Sequence, residues 1–227
     1  THAAMSSARV MATCALLGQA VGEAAALAAE TGETPHGIYE RYIRELQERL
    51  QKNDAYLPGI PAKVSPLTME ALLEAEKAEY PENLRNGIER NHPVCGDGEN
   101  GCLCGLGSAI TARFNGPRYV REVRIVWDSD LDRATLPGDD CERKHNVRAN
   151  ITPDSPVMHM PTTLVQQFAL EADTGNGFET VLQETENIRR LTRIPLNREV
   201  MAVRLVPQRL WEDPPEDVAR IFTFELA

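Results

Sequence analysis

The sequence predicts an α+β chain, with a helical segment over residues 1–60 and an antiparallel β-sandwich over residues 61–227. Three observations carry this reading. An Ala- and Gly-rich apolar run over 8–31 is followed by a helical stripe from Ile38 to Leu50. Leu57-Pro58-Gly59-Ile60-Pro61 then breaks the helical pattern. Beyond the break, short alternating segments recur with no long helix between them, as in a sandwich or barrel.

The first helix is expected over 8–31, with Ser6 and Ser7 offering capping hydroxyls and Gly32 standing where a helix usually stops. Ala15, Gly18, Gly22 and Ala25 give it a smooth face against which another backbone can lie, which suits burial in a larger body. The second helix takes Thr34 as cap and Pro35 as first residue and runs to about Leu50. Ile38, Tyr39, Tyr42, Ile43, Leu46 and Leu50 form its apolar stripe, with Glu40, Arg41, Arg44, Glu45, Glu48 and Arg49 outside. Met69 to Glu79 reads as a short amphipathic helix closed by Pro81. Tyr119–Trp127 alternates, placing Val123, Ile125 and Trp127 on one side and Glu122 and Arg124 on the other. Leu164–Ala172, Phe178–Glu184, Ile188–Leu196, Val200–Val206 and Ala219–Leu226 read as further strands.

The 227 residues are long enough for one good core or two small ones. Aromatics are only 5%, so that core must be mainly aliphatic. The net charge of −10 divides into −2 over residues 1–60 (5 basic, 7 acidic) and −8 over 61–227 (19 basic, 27 acidic), so it is no acidic tail. Such a surface repels phosphate backbones and anionic lipid, and neither nucleic acid nor membrane is expected as a partner. Five scattered cysteines are no disulfide framework, and a cytoplasmic setting is expected. Val10 to Ala29 could imitate a membrane span or signal peptide, but it is Ala- and Gly-rich rather than Leu-rich and carries Gln19 and Glu23.

Gly96-Asp97-Gly98-Glu99-Asn100-Gly101 matches a phosphate-cradle pattern. Asp97 and Glu99 would repel a pyrophosphate, and His92-Pro93 is no strand, so a surface loop is the reading. Cys95-x6-Cys102-x-Cys104, with Cys141, has poor spacing for zinc. Free cysteines in a loop are expected, with metal or a disulfide as the alternative. Asp128-Ser129-Asp130-Leu131-Asp132 alternates carboxylates as calcium loops do, yet Arg133 stands where the turn needs Gly. It reads as a polar exit from a strand. His2, His36, His92, His145 and His159 are scattered and form no catalytic group, and the Asn150-Ile151-Thr152 sequon is uninformative.

The segment from Ser7 to Gly22 (SARVMATCALLGQAVG), with Ala24–Ala28 after it, resembles the last helix of the flavin domain in FAD-dependent oxidoreductases of glutathione-reductase-type fold. Thr34-Pro35, the Ile38–Leu50 helix and Tyr56-Leu57-Pro58 are similar to the continuation found there. Downstream, Asn86–Arg90, Val123–Leu131, Met160-Pro161, Asn187–Leu191 and Ala219–Phe222 resemble the galactose-binding-like (discoidin-like) jelly-roll sandwich that some members carry at the C-terminus.

The resemblance implies that residues 1–60 are the remnant of a flavin domain whose ADP-binding part, strand-turn-helix and substrate domain lie elsewhere. It also implies that the start of the first helix points at the pyrimidine edge of the isoalloxazine, with Arg9, Val10, Met11, Ala12 and Thr13 as the cofactor-binding residues. Unpaired amides and the positive end of the helix dipole would there stabilise charge at N1–C2=O2 of a reduced flavin. This chain alone, a C-terminal fragment, is then expected to be inactive and to hold FAD weakly or not at all. Its partner is the missing flavin domain, or a second copy paired through the first helix. Cys14 reads as a packing residue beside the flavin. The alternative function is a non-catalytic carbohydrate- or partner-binding sandwich, with Trp211 and the Glu212–Pro215 loop as its rim and Trp127 only if it faces outward. The Val123–Ile125 face argues for Trp127 in the core, and aromatic poverty argues against a strong sugar platform.

Overall fold

The computed structural model describes Met5 and residues 9–91, 100–130, 160–212 and 217–227. The chain forms two compact units, Thr1–Lys63 and Val64–Ala227.

In the first unit, α1 spans Met11–Thr31, α2 Pro35–Arg41 and α3 Ile43–Lys52. Gly32 ends α1 at φ +71°, a left-handed conformation that costs glycine least, and its N–H donates to the Ala28 carbonyl. Ser6 and Ser7 lie outside the described residues; Val10 holds the cap position and makes no side-chain capping bond. Thr34 does cap α2, its hydroxyl accepting from Gly37 N–H at 3.1 Å. The single helix expected from Thr34 to Leu50 is interrupted at Tyr42, whose ψ of 9° resets the helix direction. Leu27, Ile38, Leu46 and Leu50 meet in a small core, with Tyr42 and Ile43 packed against it. Tyr39, placed in the stripe by spacing, follows buried Ile38 by one helical step onto the outer face of α2 and is 69% exposed. Arg49 ties α1 to α3, reaching Glu30 at 2.7 Å, Glu45 at 2.8 Å and Glu23 at 3.7 Å.

In the second unit, α4 (Pro66–Glu70) is followed by β1 (Leu72–Ala75), β2 (Ala78–Glu79), a 3₁₀ turn (Pro81–Arg85) and β3 (Cys102–Gly105). Then come β4 (Ile110–Trp127), β5 (Val165–Asp173), β6 (Phe178–Glu184), β7 (Leu191–Leu210) and β8 (Val218–Leu226). The helix expected over Met69–Glu79 is therefore wrong. Pro66 and the Ser65 hydroxyl, which accepts from Leu67 N–H at 3.2 Å, start a helix earlier, and Ala71 leaves it. Leu72–Ala75 then pairs with residues 110–113, so ladder hydrogen bonds override the helical preference of an Ala/Glu-rich stretch. The strands expected over 188–196 and 200–206 are one strand, β7, which continues through Asn197 at φ +48°. Cys102–Gly105 and the first half of β4 are strands the sequence did not suggest.

All pairings are antiparallel. The long strands β4 and β7 belong to both layers of the sandwich. The first half of β4 (110–113) lies between β1 and β7, whose far side carries β5 and β6. Its second half (123–127) lies between β7 and β8, and β8 carries β3 and β2. The register breaks at 113/118 and 120/122 separate the two halves, and Gly116-Pro117 sits in the first of them. Bulges and Gly/Pro at such points let a strand pass from one sheet to the other. Between the layers Trp127 is fully buried, its ring 4.9 Å from that of Phe168 and its Nε1 donating to Thr192 Oγ1 at 3.0 Å.

Candidate functional site

The residues expected to bind the cofactor stand together at the start of α1. Arg9, Val10, Met11 and Ala12 are exposed, Met11 at 87%, and Thr13 is half-buried. The Cys14 N–H is the first to close on the helix, donating to the Val10 carbonyl at 2.9 Å. With no side-chain cap and no acid in the first turn, the amides of Met11, Ala12 and Thr13 present positive charge outward. Such an end fits an electron-rich carbonyl edge. Along the same helix Ala15, Gly18, Gly22 and Ala25 are all exposed, and a Cβ added at Gly18 or Gly22 would meet nothing within 4 Å. Cys14 is exposed as well. Among the described residues, Met11–Thr31 is one helix long and apolar enough to cross a membrane.

In the sandwich, segments distant in sequence converge on a buried ionic cluster. Arg124 forks onto Glu89 at 2.5 and 2.9 Å and lies 3.7 Å from Glu225. Glu225 accepts from Ser65 N–H at 2.8 Å, Thr223 Oγ1 donates to Glu89 at 3.2 Å, and Arg190 donates to the carbonyls of Trp127 and Glu89. Every one of these charges has a partner, so the cluster fastens the 86–91 loop to β4 and β8 and offers no free group for chemistry.

Beside it opens a cleft of about 200 Å³, lined by Tyr80, Asn83, Asn100, Gly101, Leu103 and Arg220. The β3–β8 register sets Leu103 directly opposite Arg220. Asn83 Nδ2 donates to the Gly101 carbonyl at 3.1 Å, and Asn86 Nδ2 donates to Asn100 Oδ1 at 2.8 Å, which fixes the polar wall. Gly101, at φ +95°, lies so close to β8 that a Cβ would stand 3.1 Å from Arg220 Cγ and from the Ile221 carbonyl. Of these, Asn100 and Gly101 close the Gly96–Gly101 pattern read as a surface loop and Arg220 falls in the 219–222 stretch of the sandwich resemblance, but the sequence marks none of the lining residues as a binding residue.

Other expected features fall elsewhere. Cys102 and Cys104 are not in a loop: both are buried in β3, and burial pushes their thiols up to about 12 and about 11. Cys95, Cys141, Asp132, Arg133 and Pro93 lie outside the described residues. Among those described, no group of three acidic, His or Cys side chains is placed to hold a metal. Asp128 accepts from Asp130 N–H at 2.9 Å as a turn residue, and His36 is exposed, 3.2 Å from Glu40. Trp127 lies in the core. The Trp211 indole is partly buried, its Nε1 donating to the Asn187 carbonyl at 2.7 Å, and most of its expected rim is not described.

Residues 1–50 match the family model described as FAD dependent oxidoreductase. No curated protein matches the chain. Solved structures similar to it include the family 32 carbohydrate-binding module of C. perfringens NanJ in complex with galactose, at 8% identity and TM-score 0.45, covering 70% of this chain and 94% of that one. A second is GH31 CBM32-2 bound to GalNAc, at 9% identity and TM-score 0.46, covering 69% and 97%. A third is chitosan-binding module 1 from the chitosanase/glucanase of Paenibacillus sp. IK-5, at 12% identity and TM-score 0.42, covering 71% and 97%.

Proposed function

We propose that the helical unit is the end of the cofactor domain of an FAD-dependent oxidoreductase of glutathione-reductase type, and that the sandwich is its accessory structural domain. The observation that carries this is the uncapped, acid-free start of α1 at Val10–Thr13, within the segment that matches the FAD dependent oxidoreductase model. Arg9, Val10, Met11, Ala12 and Thr13 would hold the pyrimidine edge of the isoalloxazine. The flavin, when bound, supplies the hydride or electron transfer. The chain's own part is electrostatic: three amides and a helix dipole aimed where negative charge gathers. The rest of the flavin domain would cover the exposed face formed by Leu16, Leu17, Gly18, Val21 and Gly22. One helix end supplies too few contacts to retain FAD, so these 227 residues alone are expected to be colourless.

The test is made on the protein as its whole gene encodes it. It should purify with flavin absorption, and Ala12→Asp, which sets a carboxylate against the first-turn amides, should lower the flavin reduction potential or release the flavin. A full-length protein without flavin, or an A12D variant with unchanged potential and flavin content, would overturn the reading.

A second reading gives the sandwich a carbohydrate-binding role. The cleft beside Tyr80 favours it, since a preformed concavity with one exposed aromatic ring and several amides is the surface a sugar needs.

A further inference from the structure

The cleft's polar groups differ in how far they are already committed. Asn83 and Asn100 each give an amide hydrogen to a backbone carbonyl, of Gly101 and Ile88 respectively, and each receives Asn86 Nδ2 on its oxygen. Asn91 completes the wall by accepting from Asn100 N–H at 2.6 Å. Each Nδ2 of Asn83 and Asn100 makes one hydrogen bond to a described residue and has a second N–H that no described residue receives.

Arg220 is different. Its side chain is only 22% exposed, and its one charged neighbour among the described residues is Asp128, with Nε 3.9 Å from Oδ2. That separation is too long for a hydrogen bond. Arg220 therefore lines the cleft with none of its five guanidinium donors hydrogen-bonded to a described residue. Gly101, packed against Arg220 Cγ, and Leu103, paired across the ladder, hold its stem. Glu79 stands on the far side of Leu103 in the same cross-strand row and is exposed. Arg220 is thus loosely paired with Asp128 and lies one ladder position beyond Leu103 from Glu79. Tyr80, which also lines the cleft, adopts φ +56°, a left-handed conformation that is costly for an aromatic residue, and is 64% exposed.

We propose that this cleft binds a sugar acid, with the carboxylate of a hexuronate on Arg220, its hydroxyls on the Asn83 and Asn100 amides, and a ring face against Tyr80. This rests on the carbohydrate-binding reading of the sandwich and sharpens it to an anionic ligand. A guanidinium fork matches a carboxylate in shape and charge, and a half-buried one gains more from that match than one in open water. A volume of about 200 Å³ admits one sugar ring and no long chain. The chain's net charge of −10 opposes the approach of any anion, so selectivity must come from this local cation and not from long-range attraction.

The experiment titrates the full chain with galacturonate and glucuronate, and with galactose and glucose, by heteronuclear NMR at low and high salt. A hexuronate should saturate shifts at Gly101 and Leu103, and the matching neutral sugar should bind about tenfold more weakly. Arg220→Met should bring the two to the same affinity, and Arg220→Lys should fall between. Tyr80→Asn, which tolerates the left-handed backbone, removes the exposed ring without touching the core and should weaken acid and neutral sugar alike. If neutral sugars bind as tightly as hexuronates to folded protein, the anionic assignment fails and the carbohydrate reading stands. If neither saturates, both fail. If Arg220→Met does not fold, titration of the unaltered chain with the methyl ester of galacturonate, which lacks the carboxylate charge, decides in its place: an ester that binds as tightly as the free acid overturns the proposal.

Discussion

The Arg124 guanidinium closes on the Glu89 carboxylate through two bonds, Nη1 to Oε1 at 2.5 Å and Nη2 to Oε2 at 2.9 Å, with the arginine side chain only 3% exposed. Removing one partner strands the other charge in the interior, which costs more than the pair contributes. Arg124→Met is expected to destabilise the sandwich by about 3–5 kcal/mol. Arg124→Met with Glu89→Leu should recover only part of that loss, because buried Glu225 still loses the guanidinium 3.7 Å away. Urea unfolding followed by tryptophan fluorescence measures both, since Trp127 and Trp211 both lie in the second unit. A loss below about 1 kcal/mol for the single variant would mean that water reaches the cluster.

Burial raises the Cys102 and Cys104 thiols from the ordinary value of 9.0 to about 12 and about 11. Unfolded, they would lose protons near 9, so above that pH the unfolded state binds fewer protons than the folded state and gains stability from it. The sandwich should therefore weaken as pH rises from about 9 toward 11 and 12, with no contribution from these groups below 9. Replacing both by Ala should flatten the alkaline slope of the urea midpoint; an unchanged slope would contradict it. At neutral pH, peptide mapping after brief alkylation should find Cys14 modified and Cys102 and Cys104 untouched, because the thiolate is the reactive form.

What could be read from the sequence was whatever depends on local composition and punctuation. The strands over 178–184 and 219–226 are legible because β-branched and aromatic residues (Phe178, Thr180, Val181; Ile221, Phe222, Thr223, Phe224) stand between turns marked by Gly, Asn or Pro, even though β8 is buried at every position from 221 to 226. Leu72–Ala75 is not legible, because Ala and Glu favour a helix and only the ladder with 110–113 says otherwise. Cys102 and Cys104 misled for a related reason: following Gly96–Gly101 they read as free cysteines of a loop, whereas their spacing of two is the period of a strand facing its core. The start of α1 is visible as a small-residue run opening on Val10. The cleft is invisible, since Tyr80, Asn83, Asn100 and Arg220 become neighbours only when β3 pairs with β8.

Leu27 is the one residue of α1 that is fully buried, at the centre of the small core with Ile38, Leu46 and Leu50. Leu27→Ala should cost the helical unit about 2–5 kcal/mol. Far-ultraviolet circular dichroism should then lose helical signal at a lower temperature. Tryptophan fluorescence, which reads the sandwich, is expected to hold its midpoint. A fluorescence midpoint that falls in step would show that the two units unfold as one.

Gly18 and Gly22 separate this chain from the larger body proposed for it. Both stand inside an exposed helix, where glycine is less favourable than alanine by roughly 1 kcal/mol, and neither has a neighbour that a Cβ would strike. In the 227-residue chain, Gly18→Ala and Gly22→Ala should each raise helix stability by about 0.5–1 kcal/mol, read as a higher helical melting temperature. If the chain is part of the flavoprotein proposed above, the same methyls would meet the backbone that covers this face there. There the double variant should lose flavin or fail to assemble. Stabilisation in both contexts would mean that nothing packs on this face, and the small residues of α1 would then need another explanation.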